Sequence, residues 1–450
     1  MSLKKITDIL PLVLLLVTIQ LTGQERFTLE QLIQLALQEN YQIRIVQKQQ
    51  QMAENLNTPG NAGMLPSIGI ASDNSLDIQT SESKLYTGIT RSGTNASSTR
   101  ASVMAELDWT VFDGFAMFAE RDRLALLASL GAVNTRYYVE QTIADLAASY
   151  YLLVKEQQLL DTYRQLMTVS AFRLELEEKK FSIGSGNALL YNQALLDLHA
   201  DSILLLNQMM QIRDQQIRIN RIINRSPGLL LDPAEPTIPL HGIPISANLT
   251  EKATAHNIDL ERAKLGEILA ETSLRIERGQ RYPQVSVFSN YGVTYQTSET
   301  GIVESARSHG AQFGFRIRFN LYDGGRQTTS INNALLAREG AELSSIDIHK
   351  QLESDLARLT EAYLSLEKQS RLLNENLDAA TRSLQIAREQ FLSGLINGYD
   401  FRQTQLTSLR AENQLIELRY AMKMIEIDMD RITGKLMENV FQAKATEKGQ

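Results

Sequence analysis

The sequence predicts a mainly α-helical chain made of two tandem repeats, each adding a pair of strands patterned for a membrane β-barrel. Three observations carry this reading. The chain repeats itself: Phe181-Ser182-Ile183-Gly184 aligns with Phe391-Leu392-Ser393-Gly394, Asn220-Arg221-Ile222-Ile223 with Asp430-Arg431-Ile432-Thr433, and Asp113-Gly114 with Asp323-Gly324, each pair 210 positions apart. Asn40 and Asn257, like Pro66 and Pro283, stand 217 apart, so a loop seven residues longer in the first half accounts for the change. Each half also holds runs of strict period-two alternation, followed by long apolar heptads.

The chain opens with Lys4 and Lys5, an apolar stretch Ile9–Val17 around Pro11, and Thr22-Gly23-Gln24. A basic start, a short apolar core and small residues predict a secretory signal peptide over residues 1–23. A first repeat is expected over 24–226, a proline-rich linker over 227–246, a second repeat over 247–436 and a polar tail over 437–450. The chain has no cysteine, hence no disulfide framework and no lipidation site.

Each repeat should begin with a helix, about Leu29–Leu56 with Thr28 as N-cap and about Thr250–Arg278. Pro66 and Pro283 then launch strands, because proline disfavours helix at the residue before it. The stretch Asn57–Gly63 predicts a break in the first helix-to-strand junction. The strand from Ile68 to about Ser75 is diluted by Gly69, Ala71 and Asp73. Val103, Ala105, Leu107, Trp109 and Val111 alternate with polar neighbours; so do Val285, Val287, Tyr291, Val293 and Tyr295, and Phe313, Phe315, Ile317, Phe319 and Leu321. Such alternation puts the apolar side chains on one face, and each run approaches the ~9–11 residues of a tilted membrane strand.

The period then changes. Leu352, Leu356, Leu359, Tyr363, Leu366, Ser370, Leu373, Leu377, Ala380, Leu384, Ala387 and Phe391 recur at spacings of four and three, a coiled-coil seam. Leu146, Tyr150, Leu153, Gln157 and Leu160 form a weaker counterpart. A single helix over Gly114–Lys180 would be on the order of 100 Å long. Returning helices are expected at about Leu189–Asn224 and Tyr399–Thr433. The last carries two stripes, one through Leu406, Leu409, Ile416 and Tyr420, the other through Leu415, Leu418, Met422, Ile425, Met429 and Ile432; a helix with two seams has neighbours on two sides.

These features exclude several functions. A net charge of −7 opposes a nucleic-acid partner. Beyond residue 24 no window reaches the ~18 consecutive apolar residues of a membrane-spanning helix. The five histidines lack metal-site spacing, and no nucleophile elbow or phosphate loop occurs, so neither an enzyme nor a cofactor or metal is expected. Four strands cannot close a barrel in lipid, where an open edge costs several kcal/mol per unpaired group. The residues alone admit a dimer with eight strands, a trimer with twelve or a tetramer with sixteen. A rival reading is an exported coiled-coil structural or adhesion protein whose strands form a small soluble β head.

Several segments resemble the TolC family of outer-membrane efflux proteins. Thr28–Leu32 through Ala36–Asn40 is similar to the family's opening helix, and Arg281-Tyr282-Pro283-Gln284-Val285 to its helix-to-strand junction. Asn320–Arg326 is similar to its strand-to-helix junction, and Phe391–Leu395 with Asp400 to its periplasmic tip. The resemblance implies a homotrimer with a 12-stranded barrel through outer-membrane lipid and a periplasmic α-barrel of coiled-coil helices. It implies a passive channel of a tripartite efflux or type I secretion system in a Gram-negative outer membrane, docked to a periplasmic adaptor and an inner-membrane transporter.

Carried over by position, the tip turns with Gly184, Gly186, Gly394 and Gly398 would meet the adaptor. Asp400 would sit at the channel entrance, with Gln403 where a second acid can occur and Leu190 at the equivalent place in the first repeat. Arg316 and Arg318 would line the barrel lumen. Beside these stand plainer roles: turn glycines between helices, a helix cap for Asp400, and solvated arginines on the polar face of a strand.

Overall fold

A computed structural model describes residues 26–243, 249–300 and 303–438. The expected signal peptide lies outside the described residues, as does the tail beyond residue 438. In order, the elements are β1 (Arg26–Phe27), α1 (Leu29–Glu39), α2 (Tyr41–Leu56), β2 (Ser67–Lys84), β3 (Thr90–Phe112), α3 (Ala116–Ser182), α4 (Ala188–Ile222), β4 (Asp232–Pro233), α5 (Leu249–His256), α6 (Ile258–Gly279), β5 (Gln284–Ser298), β6 (Ser305–Arg318), α7 (Arg326–Leu392) and α8 (Gly398–Ile432). Both bounds of α3 and α7, and both bounds of α4 and α8, coincide at a shift of 210 residues.

The opening helix of each repeat is two helices, not the single one that periodicity suggests. Asn40 and Asn257 leave the helical region (ψ 121° and 122°) and accept hydrogen bonds from the backbone N–H of Ile43 and Leu260. An asparagine amide competes with the backbone ladder and recaps the next helix, so apolar spacing continues across a real break. Thr28 caps α1 reciprocally: its Oγ1 accepts from Gln31 N–H, and its own N–H donates to Gln31 Oε1. The expected break after Leu56 is present, with residues 57–65 irregular.

Packing divides the chain into two compact units, each drawing on both repeats. One comprises the chain up to Ala36, Leu146–Pro239 and Ser370–Lys423; the other comprises Leu37–Asp145, Leu240–Gln369 and the chain from Met424.

In the second unit β2, β3, β5 and β6 form one antiparallel sheet in the order β2-β3-β5-β6. The strands exceed expectation at the first hairpin, where β2 has 18 residues and β3 has 23, against 15 and 14 in β5 and β6. The extra length of the first repeat therefore extends strands rather than a loop. In the other direction, β6 stops at Arg318, leaving Phe319 and Leu321 beyond it. The chain turns there because Asp323 accepts from Gly325 N–H (3.0 Å) and Gln327 N–H (2.9 Å), and so starts α7. Asp113 does the same for α3 through Met117 N–H, and Gly114 and Gly324 share a positive φ (73° and 74°). A Cβ on Gly114 would stand 2.1 Å from the Gly279 carbonyl oxygen, so that junction requires glycine.

The heptad seam of α7 is seen as burial. Leu352, Leu356, Leu359 and Tyr363 are buried, Leu366 through Leu384 are half-buried, and Ala387 and Phe391 are buried again. Within the second unit Leu352, Leu356 and Leu359 pack with Ala253, Leu260, Met429 and Ile432. In the first unit Leu146, Tyr150 and Leu153 are fully buried, and the polar seam member Gln157 donates to Asp232 Oδ1 at 2.9 Å. The linker is held by side chains wherever it lacks a ladder. Gln216 and Asn220 donate to the carbonyls of Leu231 and Leu229 in the first unit. In the second, buried Glu426 accepts from His241 N–H, Gly242 N–H and Tyr363 Oη. Among the described residues no helix is long and apolar enough to cross a membrane.

Candidate functional site

Two places carry the residues singled out by sequence. The first is the sheet. Cross-strand partners share a face, and the register joins Ile70–Ala105–Tyr291–Ala311, Val103–Val293 and Trp109–Val287–Phe315 into one apolar surface. That surface is open: Phe313 is 77% exposed, Phe315 73%, Ile317 60% and Ile70 82%. The opposite face is polar. Arg316 pairs with Ser286, Arg318 with Gln284, and Asp108 with Ser67 and Phe288, at the end of the sheet that leads into the helices. Both arginines are exposed on it. Among the described residues the outer edges of β2 and β6 have no strand partner.

The second place is the pair of helix turns in the first unit. Gly184 and Gly394 both adopt φ 76° with open space where a Cβ would stand. Around them the same cap is drawn twice: Ser185 N–H donates to Lys180 O and Gly184 N–H to Phe181 O; Leu395 N–H donates to Gln390 O and Gly394 N–H to Phe391 O. This is the left-handed helix cap for which glycine is the cheapest residue. The other two glycines differ. A Cβ on Gly186 would stand 2.6 Å from Phe181 N, so Gly186 permits close backbone approach. Gly398 belongs to the helix, as the first residue of α8, rather than to the turn.

Asp400 is not the cap of α8. Asn397 is, its Oδ1 accepting from Asp400 N–H at 2.9 Å, as Asn187 caps α4 through Leu189 N–H at 2.8 Å. Asp400 is exposed in the first turn, where a carboxylate also suits the helix dipole. Gln403, one turn on, is exposed as well, with its Nε2 3.4 Å from Tyr399 Oη. An asparagine three residues ahead of an acid is readable in sequence, so Asn397 could have been found there, and Asn187 from it through the 210-residue repeat.

One polar cluster escaped sequence reading. In the first unit Asp201 is fully buried and is gripped by Arg402, Nη2 to Oδ1 at 2.6 Å and Nη1 to Oδ2 at 2.9 Å; Ser170 Oγ donates to Oδ2 at 2.5 Å. Arg173, 3% exposed, pairs with Asp197 at 2.7 Å, and Gln405 Nε2 donates to Leu166 O at 3.2 Å. The cluster joins α3, α4 and α8. Its members are ordinary surface types in sequence, and only the helix packing brings them together.

The family described as "Outer membrane efflux protein" matches residues 249–435. No curated protein matches the chain by sequence. Among solved structures, the chain is similar to the outer membrane protein VceC of Vibrio cholerae, with 17% identity, a TM-score of 0.73, and coverage of 90% of this chain and 96% of that one. It is similar to the CmeC outer membrane channel of Campylobacter jejuni at 12% identity and a TM-score of 0.79, covering 91% and 86%. The MtrE outer membrane channel of Neisseria gonorrhoeae gives 14% identity and a TM-score of 0.71, covering 91% and 89%. Residues 249–435 thus match the outer membrane efflux protein family, and nine-tenths of the chain takes the fold of TolC-like outer-membrane channels.

Proposed function

We propose that this protein is the outer-membrane exit duct of a tripartite efflux or type I secretion system, a passive conduit that works as a homotrimer. One observation carries the reading: a four-stranded sheet exposes an apolar face and leaves both edges open. Lipid tolerates the face but not the edges, so the strands must continue into further copies of the chain. A soluble β head would cover Phe313, Phe315 and Ile317 with a second layer; here all three are exposed. Three copies give twelve strands, the closure that the likeness to TolC-like channels favours.

The helices support the same assembly. On α4, Leu189, Leu196, Ile203, Met210 and Ile217 recur every seven residues and are all exposed. A heptad stripe of that length on one helix matches a neighbouring stave supplied by a second copy. The repeats of this duct are assigned to residues 24–226 and 247–436, with the linker 227–246 between them. The turns at Gly184, Gly186, Gly394 and the adjoining Gly398 are assigned to adaptor docking, and an inner-membrane transporter supplies the energy. Asp400 and Gln403 are assigned to the entrance, where one carboxylate per chain, tripled, favours cations.

Fractionation and planar-bilayer recording test the reading. The protein should partition with outer-membrane vesicles as a species of about 150 kDa, three chains of 50.5 kDa, and conduct ions. A water-soluble monomer that needs no detergent would end it. Asp400→Ala should raise single-channel conductance or weaken cation block, and unchanged conductance and block would leave Asp400 a first-turn residue only. Gly394→Trp should abolish efflux with assembly intact; wild-type drug tolerance would remove the docking assignment.

A further inference from the structure

The polar face of the sheet encloses a cavity of about 310 Å³ at the end that leads into the helices. It is lined by Arg316 and Arg318 of β6, Gln284 and Ser286 of β5, Asp108 of β3 and Ser67 of β2. Among the described residues neither guanidinium has an ion-pair partner. Arg316 instead lies over the Phe288 ring, 5.1 Å from its centroid. Phe288 can lie there because its cross-strand partner is Gly314: a Cβ at that position would stand 2.5 Å from the ring. Glycine, ring and guanidinium thus form a platform that holds one arginine in place, with the second two residues on along the same face. Asp108 is directly opposite Phe288 on β3, which puts the ring's strand between the acid and β6.

We propose that Arg316 and Arg318 form an anion-binding site that takes the carboxylate, phosphate or sulfonate group of a passing solute. Two unpaired guanidinia at adjacent polar positions present several parallel N–H donors, the arrangement that suits oxyanions. Gln284 and Ser286 add neutral donors beside them. Stacking on Phe288 limits the rotamer entropy that Arg316 loses when a ligand arrives. Placing the site in a lumen rests on the duct reading above, and there it would give the β end of the pore an anion preference opposite to that of Asp400.

Inorganic phosphate titrated calorimetrically into the detergent-solubilised assembly should bind saturably. Replacing both arginines by glutamine (Arg316→Gln with Arg318→Gln) should weaken the titration about tenfold or more, the loss of roughly one charge-assisted hydrogen bond. The paired lysine replacements, which keep the charge but neither the fork nor the ring stacking, should fall between the wild type and the glutamine pair, and Asp108→Asn should tighten binding. A wild-type protein with no saturable response, or an identical titration after the glutamine replacements, overturns the site. Planar-bilayer recording separates this from the duct reading. Arginine-dependent phosphate binding without current keeps the site and removes the duct; current without arginine-dependent binding keeps the duct and removes the site.

Discussion

The two helical hairpins, α3–α4 and α7–α8, share their bounds to the residue at a shift of 210 and share little of their interiors. The first hairpin buries Ser170, Arg173 and Asp201, with half-buried Asp197 pairing Arg173; the equivalent positions of the second are Ala380, Ser383, Ala411 and Thr407. Gln208 donates to Glu156 at 2.6 Å inside the first, where the second has Leu418 and Leu366. Even a shared device differs in setting. Phe391 stacks on Phe401 at 4.9 Å and Phe181 on Tyr191 at 5.8 Å, yet Phe391 is 3% exposed and Phe181 47%. What the repeat preserves is backbone geometry: asparagine caps, a left-handed glycine, and the number of turns. Its interior can be charged or apolar, provided that every buried polar group finds a partner.

The sharpest way to break the comparison is to remove the counter-ion that α8 supplies to the buried acid of the first hairpin. Arg402→Ala strands Asp201 without its counter-ion and should destabilise the assembly by about 3–5 kcal/mol, read as a lowered unfolding midpoint; Arg402→Met with Asp201→Leu, which copies the apolar style of the second hairpin, should recover most of it. Comparable loss after both replacements would deny that the interiors are interchangeable. Phe401→Ala should cost about 3–5 kcal/mol because it empties a buried cluster, whereas Tyr191→Ala, at its repeat mate, should cost under about 1 kcal/mol. Equal costs would erase the distinction between buried and exposed staples. Gly184→Ala and Gly394→Ala should each cost about 1–2 kcal/mol and equally so, since both hold the same left-handed conformation in open space. A large inequality would mean that the two turns are not the same cap.

The smallest effect concerns pH. Burial, then the neighbouring Glu426 carboxylate, holds the Tyr363 hydroxyl well above the ordinary phenol range. The folded protein therefore keeps this proton when the unfolded chain has lost it. Its contribution is fully present below the unfolded pKa of about 10 and declines as pH rises beyond that value. Tyr363→Phe should flatten this alkaline decline in unfolding midpoint, and an unchanged slope would assign it to other groups.

Much of the fold was legible because it rests on local rules. Period two in Phe313, Phe315 and Ile317, heptads from Leu352 to Phe391, and Asp-Gly at 113–114 and 323–324 each state a backbone requirement within a few residues. The failures are also local in origin. Asn40 and Asn257 fall within intact apolar spacing, so periodicity reads through a break made by a side-chain amide. The upper halves of β2 and β3 carry serines, threonines and asparagines without alternation, and strand pairing alone extends them. Of the candidate site, the turn glycines and the polar-face arginines were found by pattern, whereas the platform of Gly314 and Phe288 beneath Arg316 depends on cross-strand register.

By itself the sequence determined the duplication, the order of the strands and long helices, the face on which each strand is apolar and the turns at which the long helices stop. Those follow from side-chain period and from the conformations that asparagine, glycine and proline allow. Only the tertiary structure decided that the strands of the two repeats join through β3 and β5 into one sheet with open edges. It alone brought Arg402 to Asp201 across 201 residues of chain. Pairing of distant segments depends on burial and hydrogen-bond satisfaction summed over many residues, and no single stretch of sequence carries that sum.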